Sequence, residues 1–325
     1  MPATLPQLTL AALLCATGAA HAQADYPARP IRMLVPFPPG GLGDVVARLL
    51  AQKIGDTLRQ TIVVDNRGGS GGAIAAETAV RAQPDGYTLI LVTASYTANV
   101  ALHQPPYHPV NDITAVSLVG EGGNIATVLP SGPLSSQLSS LKALIAYDKA
   151  NPGKLYYGSS GTGSSTHLAT ELLQQMAGTR MTHVPYKGTI PALNDVFGGQ
   201  IHFIIGSLPA LIPQVKANRL RGIGVTTAKR SAALPDVPAI AEIIPGYEAV
   251  NWGALWGPKG LPANVVTLWN SEINRILLLQ DVKERLAASG LEPAGGTPER
   301  LREIIQRDVA KWQAVVKAAG IKAVN

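Results

Sequence analysis

The stretch "MLVPFPPGGLGDVVARLL", residues 33–50, decides how this chain reads. It opens apolar, passes through Pro-Pro-Gly-Gly, and from Asp44 onward repeats apolar residues at three- and four-residue spacing. That order is strand, loop, helix. Chains build such a unit where backbone N–H groups at a helix start face an anion. Glycine removes the side chain that would keep a bound group away. Gly40, Gly41 and Gly43 are expected to offer free N–H groups, and Phe37 and two prolines an apolar wall. Asp44 is expected to cap the helix. No Lys or Arg occurs in this loop before Arg48, so an anion held here is held by backbone.

Outward from this unit, strands and helices alternate. "IRMLVPF" (31–37), "TIVVDNR" (61–67) and "TLILVTA" (88–94) read as strands. The helix from Asp44 and "GGSGGAIAAETAVRAQ" (68–83) lie between them. This βαβαβ order predicts a parallel sheet with helices on both faces. A second series follows. Strands are expected at 155–161, 181–186, 201–207 and 220–227, and helices at 139–153, 165–178, 190–199 and from 208. Three amphipathic helices end the chain, the last capped by Thr297 and closed by Gly320. The Pro- and Gly-rich residues 234–260 suit a crossing between domains. The expected fold class is α/β, with two mostly parallel sheets and a ligand cleft between two lobes. The expected divisions are a leader at 1–22, a first lobe from 23–122 that takes back 249–325, and a second lobe at 123–248.

The leader reading rests on "LTLAALLCATGAAHA" (8–22), an apolar run of secretory length that ends in an Ala-x-Ala signal. Cleavage before Gln23 would place the chain in the periplasm and remove Cys15, its single cysteine. No thiol nucleophile, disulfide or Cys metal ligand would then remain. The net charge of +6 comes from scattered Lys and Arg, and aromatic residues make up 5%. Nucleic-acid binding would call for clustered basic residues and stacking aromatics. The charge instead suits mild steering of small anions.

The second series repeats the opening unit as "LYYGSSGTGSSTHLATELL" (155–173), with a hydroxyl-rich loop. Neither glycine loop has the spacing of a dinucleotide fingerprint or a phosphate-binding P-loop. The serine loop does not place Gly-x-Ser-x-Gly in register. A secreted serine hydrolase using Ser160 or Ser164 with His167 stays open as the alternative function. No His or carboxylate spacing supports a metal, and no cofactor is expected.

Seven stretches carry a family resemblance: "VPFPPGGLGDVVARLLAQ", "VVDNRGGSGGAIAAE", "PDGYTLILVT", "YGSSGTGSSTHLATELL", "VPYKGTIPALNDVFGGQI", "TTAKRSAALPDVPAIAE" and "EINRILLLQDVKERLAASGLEPAGGTPERL". Together they resemble the Bug-type periplasmic solute receptors, the TctC-like binding proteins of tripartite tricarboxylate transport systems. The resemblance implies a two-lobed Venus-flytrap receptor without catalysis. A small carboxylate would be its ligand, and a membrane transporter, or a sensor kinase, its partner; the chain would act as a monomer. Carried over by position, it implies a ligand site at Phe37, Gly40, Gly41, Gly43, Asp44 and Ser95 in the first lobe. In the second it implies Ser160, Thr162, Gly163, Ser164, His167, Lys187, Gly188 and Thr189. Leu42 and Gly43 stand where relatives often carry Ser or Thr, and Gly206 where they often carry an acid.

Overall fold

The computed structural model describes residues 26–103 and 105–321. The expected leader lies outside them. The first sheet contains strands β1 (Ile31–Val35), β2 (Ile62–Asn66), β3 (Thr88–Thr93), β4 (Ile113–Gly122), β10 (Asn251–Pro258) and β11 (Leu291–Pro293), in the spatial order β11-β4-β10-β3-β1-β2. The second holds β5 (Asn124–Val128), β6 (Tyr156–Ser159), β7 (Thr182–Pro185), β8 (Phe203–Ser207) and β9 (Arg221–Val225), in the order β7-β6-β8-β5-β9. Helices α1 (Leu42–Leu58), α2 (Ala73–Val80), α3 (Ser95–Leu102), α8 (Ala263–Ile276) and α9 (Gln280–Ala288) accompany the first sheet. Helices α4 (Leu141–Ala150), α5 (Ser165–Ala177), α6 (Thr189–Phe197) and α7 (Leu208–Lys216) accompany the second.

Burial explains the elements. In α1 the apolar positions Val46, Leu49, Leu50 and Ile54 form one buried stripe. Strands β1 and β3 are apolar along nearly their whole length because helices cover both faces. Both sheets are mixed, where the sequence predicts mostly parallel ones. In each sheet one triplet is parallel, β2-β1-β3 and β7-β6-β8. The remaining ladders are antiparallel. The crossing strands β4, β5 and β10 take part in these antiparallel ladders, and their sequences hide them. In β4, the buried Ser117 hydroxyl donates to the carbonyl of Leu118, so a polar residue sits in the core without a distant partner. In β10, a Cβ on Gly253 would lie 3.3 Å from Leu42, and one on Gly257 only 2.6 Å from Leu261. These glycines mark close packing rather than a turn.

Gly123 alone separates β4 from β5. The return crossing runs beside it. Thr226 stitches the two: its hydroxyl accepts from the Asn124 N–H at 2.8 Å and donates to the Ala249 carbonyl at 2.7 Å. A Cβ on Gly123 would lie 3.1 Å from Thr227, so the crossings sit at close range. The last helix, α10 (Pro298–Ala319), packs along both lobes. Leu301, Ile304 and Ile305 join a core of the first lobe, and Trp312 and Val315 join the main core of the second.

Helix α10 is pinned to β10 by one buried hydrogen bond. The Trp252 indole N–H donates to the Asp308 carboxylate at 2.7 Å, and both residues are buried. Asp308→Ala leaves that indole without its acceptor and should cost about 1–3 kcal/mol. Asp308→Asn keeps an acceptor and should recover most of the loss. Urea denaturation of the two variants reads this directly; equal losses would show that the bond contributes nothing of its own.

Candidate ligand-binding cleft

Five helices begin at one void. The lining includes Gly41 before α1, Ser95 at the start of α3, Ser165 at the start of α5, Gly188 before α6 and Ser207 before α7. The first-turn amides of a helix have no intrahelical acceptor, and the aligned peptide dipoles add partial positive charge there. The void lies between the lobes, with lining residues from both. Phe37, Pro38, Leu42 and Ile190 give it apolar walls; Thr93, Ser160 and Thr166 add hydroxyls. No Asp, Glu, Lys, Arg or His is found among the described residues that line it. The site therefore suits an anion with an apolar skeleton, held by amides and hydroxyls.

The lobes meet over this void. Ser95 Oγ lies 3.1 Å from Ser165 Oγ and accepts the Ser165 N–H at 3.0 Å. A Cβ on Gly188 would lie 3.0 Å from the Pro38 ring, and one on Gly71 only 2.5 Å from the Thr162 carbonyl oxygen. This arrangement is a closed one.

Of the residues singled out from sequence, Phe37, Gly41, Gly43, Ser95, Ser160, Gly188 and Thr189 line the void. Thr189 Oγ1 lies 3.2 Å from Ser160 Oγ and accepts the Ser207 N–H at 3.3 Å. Gly40 is at the exposed rim, with φ +90, and its N–H is not free. It donates to Asp44 at 3.0 Å. Asp44 is not the cap: Gly41 holds that place, and Asp44 sits in the first turn with its buried carboxylate shared between the Gly40 amide and Arg48. Burial pushes its carboxyl up, but hydrogen bonds from Arg48, Gly40 and Asn66 outweigh that and hold it below the ordinary 3.8. Arg48 is thus the counter-ion of a buried acid and is not merely an exposed charge.

Thr162 and Lys187 line a wider outer groove, with Glu77 and Tyr186. Gly163, Ser164 and His167 stand behind the serine loop. Ser164 is fully buried and caps α5, accepting the His167 backbone N–H at 3.2 Å. The His167 ring accepts the Gly163 N–H on Nδ1 at 3.2 Å and stacks on His183 with centroids 4.0 Å apart. Burial, then the nearby His183 and His103, lower its pKa to about 3, so it is neutral. The hydrolase alternative fails here: Ser160 Oγ pairs with Thr189, Ser164 Oγ pairs with Thr166, and neither hydroxyl is held by the imidazole.

Sequence reasoning missed Asn124, Asn251, Ser165, Thr166 and Ser207, all in the lining. Ser207 was legible, since it stands between a strand and Leu-Pro, a helix-start signal. The two asparagines carry no such mark, because each opens a strand that the sequence hides.

This geometry has known relatives. The model of the tripartite tricarboxylate transporter family receptor matches residues 46–321. The chain belongs to that receptor family. It is 40% identical over 309 residues to the protein BugT of Bordetella pertussis, covering 94% of each chain. Among solved structures, Rpa4515 of R. palustris with adipate is 37% identical, with TM-score 0.87, covering 92% of this chain and 100% of that one. MatC of Rhodopseudomonas palustris with bound malate is 30% identical, with TM-score 0.83, covering 90% of this chain and 100% of that one. Receptors of this family are periplasmic; they bind solutes and do not transform them.

Closure depends on Gly71. Its φ of +60 disfavours any side chain, and a Cβ would strike the Thr162 carbonyl of the opposite lobe. Gly71→Ala should lower stability by about 1 kcal/mol through the backbone alone. It should also weaken capture of a carboxylate ligand by about tenfold or more, a 1.4 kcal/mol effect on closure. Calorimetry beside thermal unfolding separates the two; unchanged affinity would show that the lobes need not meet here.

Proposed function

We propose that this chain is the periplasmic receptor of a tripartite carboxylate transporter. It captures a small carboxylated compound as a monomer and passes it to the membrane subunits. A leader ending at Ala22 takes it to the periplasm. The first lobe comprises 23–122 and 249–325, and the second 123–248. One observation carries the reading: five helix N-termini face a void that no charged side chain lines among the described residues. Such a site neutralises a carboxylate without committing a cation to it. The apolar walls at Phe37, Leu42 and Ile190 suit a carbon skeleton. Gly206 cannot hold an acid for a ligand amino group, since a Cβ there would lie 2.7 Å from both Leu211 and Thr189. That favours ligands without an amine. Adipate and malate, the ligands of two related structures, are the natural first candidates.

The test is a thermal-shift screen of mono-, di- and tricarboxylates and aromatic acids. A ligand at a hundredfold excess over Kd should stabilise the protein by about 2.7 kcal/mol. Gly41→Val should abolish the shift. Gly41 has an ordinary φ of −82, and a Cβ there meets nothing nearer than the Pro38 carbonyl at 3.9 Å, so valine fits the fold and fills the void. A screen in which no carboxylate stabilises the protein would overturn the proposal.

A further inference from the structure

Two imidazoles hold the hydroxyl-rich loop from behind. His167 Nδ1 accepts the Gly163 N–H at 3.2 Å. A backbone amide can only donate, so this nitrogen carries no proton and the neutral ring keeps its proton on Nε2. His183 Nε2 lies 2.7 Å from Ser159 Oγ. That oxygen accepts the Gly161 N–H at 3.1 Å, which leaves the hydroxyl proton for His183 Nε2. The second ring then keeps its proton on Nδ1. Both rings serve as acceptors, and a protonated ring cannot. They also stack on each other, with centroids 4.0 Å apart.

The loop serves both the ligand and closure. Ser160 lines the void. The Thr162 carbonyl meets Gly71 of the opposite lobe. Gly163 faces that lobe too: a Cβ on it would lie 3.1 Å from both Asn99 and His103. Opening of the cleft takes these first-lobe groups off the loop and admits water toward the imidazoles behind it. Among the groups packed on the pair, Tyr157 of β6 stacks on His183 at 4.8 Å, and burial keeps its phenol neutral. Glu171 of α5 lies 3.9 Å from His167 Nε2. Its carboxylate accepts from the Tyr157 hydroxyl and, at 2.8 Å, from Gln174, and burial raises its pKa. Glu171 offsets part of the cost of protonating His167; burial first, then His183 and His103, sets that cost.

We infer that His167 and His183 are positioning residues: as neutral acceptors they fix the serine loop for capture, and mild acid, by protonating them, loosens the loop and releases the ligand. The inference rests on the receptor reading given above. Its sign follows from linkage. Above the ordinary histidine value of about 6.5 both rings are neutral whether the cleft is open or closed, and closure moves no proton. Below it, rings reached by water take up protons, while burial holds the closed rings neutral down to about 3 for His167 and about 4 for His183. Closure must then expel those protons, so affinity falls as pH drops below about 6.5. Each imidazole contributes up to about tenfold per pH unit in that window.

The test joins nitrogen NMR of the histidine rings to calorimetry with adipate, on the parent and on a double variant, His167→Asn with His183→Gln. Asparagine sets an oxygen near the Nδ1 position and glutamine one near the Nε2 position, so both acceptors stay and neither can take up a proton. At about pH 7.5 the parent should show His167 protonated on Nε2 alone and His183 on Nδ1 alone. Its affinity for adipate should fall about tenfold or more between about pH 7.5 and about pH 5.5. The double variant should bind within about threefold of the parent at the higher pH and lose most of that fall. Adipate takes up protons itself in acid, but both proteins meet the same ligand titration, so the difference between the two profiles belongs to the rings. A general structural role would weaken binding at both pH values and leave the slope in place. If the double variant fails to fold, each single variant should remove part of the slope. Opposite tautomers, a charged ring at the higher pH, or parallel profiles overturn the inference and leave the receptor reading intact. If adipate does not bind, malate takes its place as probe. A parent that binds no carboxylate of the wider screen overturns both readings.

Discussion

The amides at the start of α1, α3, α5, α6 and α7 cannot be satisfied inside their own helices, and all five helices start at one void. The rest of the structure serves that convergence. The parallel triplets β2-β1-β3 and β7-β6-β8 deliver strand ends, and hence helix starts, to the same edge of each sheet. Facing the two edges across a cleft lets one ligand answer both. The formal charges near the site are used elsewhere: Arg48 neutralises Asp44, and Asp44 in turn shapes the loop through the Gly40 amide. An anion entering the void therefore meets dipoles already held in place.

The hinge is built from backbone at close range. Gly123 and Thr226 bring the two crossings together, and the Asn124–Asn251 amide pair ties them to the end of β3. Helix α10 adds a third connection, with its early residues in one lobe's core and its late residues in the other's. A receptor that opens must bend these links without breaking their buried hydrogen bonds. Motion then falls on short strand junctions rather than on a loose linker.

Much of this was legible in sequence. The alternating strands and helices, both glycine loops, and seven of the lining residues, including Phe37, Gly41 and Thr189, follow from local pattern. What escaped was non-local. Strands β4 and β10 carry buried hydroxyls and glycines that look like loop chemistry until the packing of Leu42 and Leu261 shows why they are small. With β10 went Asn251, and with β5, equally unmarked in the sequence, went Asn124. The opposite error occurred at Ser164 and His167. Their residue types advertise chemistry, yet a helix cap and a stacked histidine pair consume them. Gly40 looked like a free donor because its partner, Asp44, was expected to cap the helix.

The claim that amides, not cations, hold the ligand is best tested by amide-resolved NMR during titration with the carboxylate that stabilises the protein most. The N–H signals of Gly41, Leu42 and Gly43, and that of Thr166, should move downfield together at saturation, as charge-assisted hydrogen bonds form at two helix starts. The side-chain signals of Arg48 and Lys187 should stay in place. Response of either cation, with the four amides unmoved, would contradict the account.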